Sequence, residues 1–230
     1  MKKIIVLMGL LALGRQAEAI IGASAFGGYT TLSMASVNSE FSKSEKDDKD
    51  NNETTALTPF GSAYYVGAEA GLSLAPFLKA GPRVEYIHGS ASYSHTPLLG
   101  TANKTTYDAE LVPVLLGLSA DVALPGTGIT LKGGVYGGYG MATLRSTNTN
   151  GSTTTNSTST GANFMGEIAA QVLLRLIPSV HLGLDLGYRM ADIAEMKDTK
   201  TDTTHKNSNG DNLHFDYSGF NIGAAATLLF

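Results

Sequence analysis

The 230-residue sequence contains no cysteine and no tryptophan, and it has only seven prolines. Without cysteine the chain can form neither a disulfide framework nor a thiolate metal site, so its stability must come from burial and backbone pairing. The sequence also lacks any run of about 20 apolar residues, which is the length that a helix needs to cross a bilayer. The sequence therefore predicts no membrane-spanning helix.

Charged residues are also few, at 16% of the chain, and acidic residues outnumber basic ones by 20 to 16. Residues 1–19 indicate an export signal, because Lys2 and Lys3 precede a short apolar run and Ala17-Glu18-Ala19 provides a small-residue cleavage pattern. Cleavage there would leave 13 basic and 19 acidic residues, a net charge of −6. With this charge we expect no nucleic-acid partner.

What the sequence does contain is a series of apolar or alternating segments, each of the length expected for a strand. In His181–Met190 the even positions are leucine, tyrosine and methionine, and the odd positions include Asp185 and Arg189. Because successive side chains of a strand point to opposite faces, such a segment has one apolar side and one polar side. The eight segments lie at about 20–37, 61–75, 78–93, 106–124, 129–145, 162–176, 179–195 and 214–230.

The links between these segments alternate in length. Three are tight, and they contain Pro76, Pro125 and Pro178. Four are long and so polar that their composition predicts no ordered structure of their own. Short turns at one end and long loops at the other are typical of an all-β, eight-stranded, antiparallel up-and-down transmembrane β-barrel with extracellular loops. In this interpretation the barrel occupies residues 20–230, and its loops lie at about 38–60, 94–105, 146–161 and 196–213.

The polar side of the strands decides between two kinds of barrel. Alternation alone leaves open a soluble barrel of the lipocalin kind, whose polar side would face water. Here the polar side is rich in glycine and poor in lysine and glutamate, which favours a narrow interior. Buried charges are tolerated mainly when they are paired, and the predicted interior balances five acids against five bases. The predicted lumen charge network is Glu69, Lys79, Arg83, Glu85, Asp121, Lys132, Glu167, Arg175, Asp185 and Arg189.

The sequence finishes on "FNIGAAATLLF", in which the even positions would face lipid. With this closing strand the chain resembles the small eight-stranded outer-membrane barrels of Gram-negative bacteria, the OmpA transmembrane-domain and OmpX/Ail-like group. The resemblance covers residues 20–230 in pattern and layout, without a diagnostic internal motif. It implies an outer-membrane location with extracellular loops and both mature termini in the periplasm. It also implies an assembly signal, recognised by the barrel-assembly machinery, at Phe220, Ile222, Leu228 and Phe230.

Two features depart from that group. Without tryptophan, an aromatic belt must consist of tyrosine and phenylalanine. Pro82 and Pro113 fall inside predicted strands, where each removes a ladder hydrogen bond and indicates a bulge. The belt residues expected are Tyr29, Tyr64, Tyr86, Tyr139 and Tyr188.

The most enzyme-like feature is "EYIHGSAS", where His88 and Ser90 share a face and Glu85 or Glu110 could orient the imidazole. It weakly resembles the His-x-Ser of lipid A deacylases of the PagL type. In that family asparagine follows the serine and the pair lies on a late strand, whereas here Ala91 follows on the third strand. A histidine and a serine at a membrane interface are therefore favoured over a catalytic pair.

No cofactor or metal site is predicted from the remaining residues. The "KGGVYGGYG" segment fits no phosphate-loop pattern, and the five histidines lack ligand spacing. The acidic residues of 38–60 could hold a divalent cation loosely, but a run of charges usually indicates a solvated surface.

We therefore predict a non-enzymatic protein with a structural and surface-interaction, adhesin-like role. Its expected partners are outer-membrane lipid and lipopolysaccharide, the barrel-assembly machinery, and a host or cell-surface ligand bound through the loops. The alternatives are a small passive solute channel and, less favoured, a lipid A-modifying acyl hydrolase.

Overall fold

The computed structural model describes residues 21–98 and 100–230, which form one α-helix and twelve β-strands. The predicted signal peptide, residues 1–19, lies outside the described residues. The helix α1 is Ala35–Asp50, and the strands are β1 Ile21–Thr31, β2 Thr54–Thr58, β3 Ser62–Ala75, β4 Leu78–Thr96, β5 Asn103–Leu124, β6 Ile129–Asn150, β7 Thr153–Ile177, β8 Val180–Met190, β9 Asp192–Ile193, β10 Lys197–Asp198, β11 Phe215–Asp216 and β12 Gly219–Leu229.

Eight of these strands form a closed antiparallel ring. Its order is β1, β3, β4, β5, β6, β7, β8 and β12, and β12 pairs back to β1. At the closure, Ile21 and Phe230 exchange backbone hydrogen bonds with N···O distances of 2.9 and 3.4 Å. The sequence prediction of an eight-stranded up-and-down barrel is confirmed.

The outer face of the ring is apolar and the inner face is polar. Leu116 and Ile168 point outward and are 69% and 55% exposed, whereas Arg83 and Arg189 are completely buried. Since a water-facing surface would not carry so continuous an apolar band, this is the outer face of a transmembrane barrel. The predicted alternation of β8 and β12 is confirmed, with leucines outside and Asp185 inside.

An aromatic girdle marks the upper edge of the apolar band, on the side of the long connections. Cross-strand pairing aligns Tyr29 with Tyr64, Tyr139 with Phe164, and Tyr188 with Phe220. All six of these side chains are exposed on the outer face. Tyrosine and phenylalanine thus provide the belt in this chain without tryptophan.

Three tight turns, at residues 76–77, 125–128 and 178–179, lie at the opposite end of the barrel, where Ile21 and Phe230 also lie. The β5–β6 turn needs glycine twice, because Gly126 and Gly128 have φ angles of +74° and +71°. Between them, Thr127 Oγ1 donates a hydrogen bond to the Leu124 carbonyl oxygen at 2.9 Å.

The bulges predicted at the two strand prolines were wrong. On both sides of Pro82 the pairing of β3 with β4 keeps one register, from Leu72↔Ala80 to Glu69↔Arg83. Pro113 pairs with Gly140 inside an unbroken β5–β6 register. Each proline thus lacks one ladder hydrogen bond, but no extra residue is inserted beside it. The pairs on either side keep the two strands in register. The register shift between β3 and β4 lies instead at Ser73–Ala75, beside the turn.

The expectation that the long polar segments do not order was also wrong for two of them. Residues 38–60 contain most of α1 and all of β2. The helix gains i,i+3 and i,i+4 ion pairs, with 2.7 Å between Glu40 and Lys43 and 2.8 Å between Glu45 and Lys49. Its apolar positions Val37 and Phe41, four residues apart, face one side and pack onto the mouth of the barrel.

The second ordered segment is 146–161. Its Ser, Thr and Asn residues continue β6 and β7 as a paired hairpin up to a turn at residues 151–152. Polar residues can extend a ladder that is already nucleated below them, because each added pair only propagates existing hydrogen bonds. Likewise β4 and β5 run to Thr96 and from Asn103, which leaves a shorter loop than 94–105.

Candidate functional site

The centre of the lumen is built around Arg83, whose guanidinium contacts carboxylates from three other positions on the wall. Its Nη2 atom donates to Glu167 Oε1 at 2.8 Å, its Nε atom to Glu85 Oε1 at 2.8 Å, and its Nη1 atom to Glu69 Oε2 at 3.3 Å. Asp185 Oδ2 lies 3.8 Å from Nη2. Since all the ion pairs are shielded from solvent, each charge depends on its neighbours for solvation.

Two further cations complete this cluster. Arg189 donates to Glu85 Oε2 at 3.1 Å and to Thr30 Oγ1 at 3.0 Å. Lys132 forms an ion pair with Glu69 Oε1. The central cluster therefore joins four acids and three bases from β3, β4, β6, β7 and β8.

Neutral side chains fill the space that the charges leave. Tyr65 and Gln171 donate to the two oxygens of Asp185 at 2.7 and 2.9 Å, and Tyr136 donates to Glu69 at 2.9 Å. Phe26 stacks on Arg83, with 3.9 Å between Cζ and the ring centroid, which adds a cation–π contact. Alternation in the sequence puts Gln171 on the polar face of its strand, but the predicted network did not include Phe26, Tyr65 or Tyr136. Tyr65 and Tyr136 follow outward Tyr64 and Val135, so the same alternation would have placed them inside.

Near the tight turns a separate ion pair closes the lower lumen. Lys79 Nζ lies 2.7 Å from Asp121 Oδ2, beside a Ser24–Thr227 hydroxyl contact of 2.8 Å. They line a cavity of about 40 Å³, which is room for a few water molecules. Arg175 differs from the rest of the predicted network, because it lies at the exposed end of β7, opposite His181 in register.

A folded cap covers the upper mouth of the barrel. Leu32 and Met34, which lead into α1, are buried together with Val37 and Phe60. Asn38 holds the two ends of this connection together, since its side chain accepts from the Phe60 N–H at 3.0 Å and donates to the Phe60 carbonyl at 2.7 Å. The buried apolar residues of the cap and the upper wall include Leu32, Met34, Val37, Phe60, Ile87, Leu111, Ile193, Met196, Phe215 and Tyr217.

The β8–β12 connection supplies the other half of the cap. Its short strands β9 and β11 pair with each other, and Met34 N–H donates to the Asp216 carbonyl at 2.8 Å. Farther along, His205 lies 2.6 Å from Ser159 Oγ on β7 and edge-on to the Phe215 ring. Because this imidazole is partly withdrawn from water, burial lowers its pKa, and the charge of Asp198 opposes that shift.

The suspected catalytic residues lie outside the barrel at the aromatic girdle, where His88 is the register partner of Tyr64. His88 and Ser90 point outward on β4, and His88 Nδ1 lies 4.0 Å from Glu110 Oε1 on β5. Glu85 was wrong as an orienting acid, because odd positions of β4 face the lumen and Glu85 is buried there. The Glu110 carboxylate already accepts from Arg145 at 2.6 Å.

Among residues 21–98 and 100–230, one group of His, Asp and Glu side chains has the spacing to hold a metal ion. It consists of Asp48, Glu53 and His95, whose ligand atoms all lie within 4.8 Å of one another. Sequence spacing did not reveal this group, because α1 and the upper part of β4 bring distant segments together.

In that same part of the chain, the helix is not long and apolar enough to cross a membrane.

Neither protein-family models nor curated proteins give a match to this sequence. Solved structures do. Neisserial surface protein A is 12% identical with a TM-score of 0.40, over 94% of this chain and all of that one. The outer membrane protease OmpT from Escherichia coli is 10% identical with a TM-score of 0.47, over 94% and 99% of the two chains. Ail, the attachment invasion locus protein of Yersinia pestis, is 9% identical with a TM-score of 0.36, over 93% and 100%.

The resemblance to small outer-membrane barrels that the sequence indicated is confirmed as a likeness of fold. The strand order, the closed register and the apolar outer band described above carry this assignment. The chain has the architecture of an outer-membrane β-barrel.

Proposed function

We propose that this protein is a closed outer-membrane barrel with a structural and surface-contact role, and that it presents a polar sheet to the exterior. The sheet is formed by β4 to β7 above the aromatic girdle. We define the polar sheet by its outward side chains, which are Ser90, Ser92, Ser94, Lys104, Thr106, Asp108, Arg145, Thr147, Thr149, Thr154, Asn156 and Thr158.

The observation that carries this proposal is the register of the polar sheet. Ser92, Thr106, Thr147 and Asn156 form one row across four strands, because each is paired with the next. Cross-strand neighbours on one face lie about 5 Å apart, so the row is a regular grid of neutral hydroxyl and amide groups. Such groups exchange hydrogen bonds with a polar ligand without the large desolvation cost of charges. A sugar-rich cell surface or lipopolysaccharide fits this chemistry.

The filled interior supports a contact role over a channel. Arg83 and Arg189 are fully buried in the lumen, and the cap covers the mouth above them. Eight strands enclose only enough space for side chains, and here side chains occupy it. With both termini beside the tight turns, the expected orientation has turns and termini in the periplasm and the polar sheet outside.

The test uses whole cells that display the protein and measures how strongly these cells bind to surfaces coated with glycans, matrix proteins or other cells. Thr147→Lys places a long charged side chain in the middle of the polar sheet, and we expect it to reduce binding severalfold. Thr203→Lys is the matched control, because Thr203 is exposed but lies off the polar sheet. Equal binding by wild type and Thr147→Lys, at equal surface levels, would contradict the proposal.

A second candidate, acyl hydrolysis of lipid A, is supported by one observation. His88, Ser90 and Glu110 share the outer face at the level where lipid headgroups would lie, and Glu110 is 4.0 Å from the imidazole. An imidazole beside an acid and a hydroxyl is the arrangement that acyl transfer uses. Arg145 and Tyr86 hold the Glu110 carboxylate, however, so it would have to exchange partners before it could orient His88.

The second candidate has its own test. Cells that express the wild type should contain lipid A with fewer acyl chains than cells that express Ser90→Ala, as measured by mass spectrometry. Identical lipid A in both would remove the hydrolase from consideration.

A further inference from the structure

We propose that Asp48, Glu53 and His95 bind a divalent transition-metal ion, with Zn²⁺ as the best fit, which fastens the end of α1 to the barrel wall. The three side chains come from the last turn of α1, the segment after it, and the upper part of β4. Their ligand atoms lie within 4.8 Å of one another, and His95 Nδ1 is 3.8 Å from Asp48 Oδ2.

The end of the helix is folded so that two of the carboxylates converge. Asn52 has a left-handed φ of +62°, its N–H donates to the Lys49 carbonyl at 2.9 Å, and the Glu53 N–H donates to the Asp48 carbonyl at 3.0 Å. These two bonds are the Schellman arrangement that ends many helices. The chain reverses there, and Glu53 returns to the level of Asp48.

This helix end has an excess of negative charge that a cation would relieve. Asp47, Asp48 and Asp50 lie in the last turn, where the helix dipole already places partial negative charge. Lys49 is in the same turn, but its Nζ atom lies 2.8 Å from Glu45, on the preceding turn. Acids at this position are unfavourable for an isolated helix. Asp48, one of these acids, converges with Glu53 on His95, and this arrangement favours a bound cation.

A second observation comes from the strands on either side of His95. Thr55 on β2 and Asn103 on β5 are the register partners of His95, so all three side chains share one face of the sheet. The Thr55 Oγ1 atom and the Asn103 Oδ1 atom are both shielded from solvent and have no hydrogen-bond partner within the described residues. An amide oxygen can only accept, so Asn103 offers a lone pair without a donor. Such oxygens beside a ligand cluster fit a metal-bound water.

The donor set favours zinc over calcium. An imidazole nitrogen with two carboxylate oxygens suits Zn²⁺, which takes four ligands at about 2.0–2.2 Å, the fourth here being water. Ca²⁺ prefers six to eight oxygen ligands and rarely takes imidazole. Tyr93 lies two residues before His95 on β4, so both side chains are on the same face of the sheet. The Tyr93 hydroxyl donates a hydrogen bond to Asp48 and would orient that carboxylate toward the metal.

Such an ion would join α1 to β4 at the rim of the mouth. Val37 and Phe41 already hold the first half of the helix on the cap core, whereas its last half is charged and exposed. The metal would therefore fix the part of α1 that apolar packing does not hold.

The experiment uses the full mature chain refolded into detergent without lipopolysaccharide, whose phosphates would themselves bind metal. After treatment with EDTA and dialysis, calorimetric titration with ZnCl₂ should show one site, and ZnCl₂ should slow proteolysis within 38–60. His95→Gln should weaken Zn²⁺ binding at least about tenfold and abolish the protection. Asp48→Asn, which can still accept from Tyr93, should do the same.

The matched control is His214→Gln. His214 also faces an aspartate, with 2.9 Å between its Nδ1 atom and Asp192 Oδ2, but it lies outside the cluster, so its loss should leave Zn²⁺ binding unchanged. Equal Zn²⁺ affinity in wild type and both cluster variants would overturn the site. Binding of CaCl₂ as tight as that of ZnCl₂ would overturn the transition-metal assignment.

Discussion

Arg83 on β4 and Glu167 on β7 meet inside the barrel, with 2.8 Å between the Arg83 Nη2 atom and the Glu167 Oε1 atom. The two strands are separated by β5 and β6 in the ring, so this contact ties together parts of the wall that share no backbone pairing. The side-chain network therefore connects strands that the backbone ladder does not pair directly.

We expect Arg83→Ala to lower the free energy of unfolding by about 3–5 kcal/mol, because it leaves several buried carboxylates without their shared cation. Arg145→Ala removes an arginine that also pairs with a glutamate, Glu110, but on the exposed outer face, and should cost only about 0–1 kcal/mol. Urea unfolding of the detergent-refolded proteins measures both. Similar midpoints for the two variants would mean that the lumen is wet.

We expect the wild type to show no steady conductance in planar bilayers, since side chains fill the lumen at two levels. Replacing residues 35–60 by a short flexible linker should leave the barrel non-conducting, because the charge cluster lies below the cap. Large and stable single-channel currents from the wild type would favour the solute-channel alternative.

Phe230→Ser should reduce the amount of folded protein in outer membranes severalfold if the last strand carries the assembly signal. Phe77→Ser is the matched control, because Phe77 is also an exposed aromatic residue at the turn end of the barrel. Heat-modifiable mobility in detergent gels reports the folded fraction. Equal levels of both variants would argue against a special role for Phe230.

Acidification should loosen the segment 197–213. Burial lowers the pKa of His205 in the folded protein, so below the unfolded value of about 6.5 the unfolded segment binds a proton that the folded segment does not. Stability of this segment is therefore present above pH 6.5 and is lost as the pH falls below it. Proteolysis within 197–213 should be faster at pH 5 than at pH 8 in the wild type.

His205→Gln should remove most of this difference, since glutamine can still hydrogen-bond Ser159 but does not titrate in this range. Hydrogen bonds from the Thr201 and Lys200 N–H groups lower the pKa of Asp198. Asp198 is therefore ionised at both pH 5 and pH 8, so its charge does not contribute to the difference in proteolysis. An undiminished pH effect in His205→Gln would assign it to another group.

The barrel could be predicted from the sequence because its strands have to alternate. Leu182 to Met190 face lipid at every second position, and lipid accepts only apolar side chains there. The same alternation placed Arg83, Glu167 and Asp185 inside. Alternation did not predict which charged side chains form pairs. The pairs depend on the stagger between strands, and the sequence of one strand does not determine this stagger.

The cap could not be predicted in this way. Val37 and Phe41 are apolar residues in or beside the highly charged segment 38–60. The composition of this segment is typical of a disordered loop. They pack against apolar residues such as Phe215, which are remote in the sequence. These residues come close to Val37 and Phe41 only in the closed barrel. The convergence of Asp48 and His95 has the same origin.

The pairing of β1 with β12 also constrains the order of folding. Gly22 pairs with Leu229, so the contacts that seal the ring join the two most distant segments of the barrel. Contacts of such large sequence separation form slowly, since nearly the whole chain must be confined before they contribute. Until then β1 presents an unpaired edge of backbone donors and acceptors, the feature most prone to aggregation. A protein closed in this way should depend on a chaperone that covers the edge of β1 until β12 arrives.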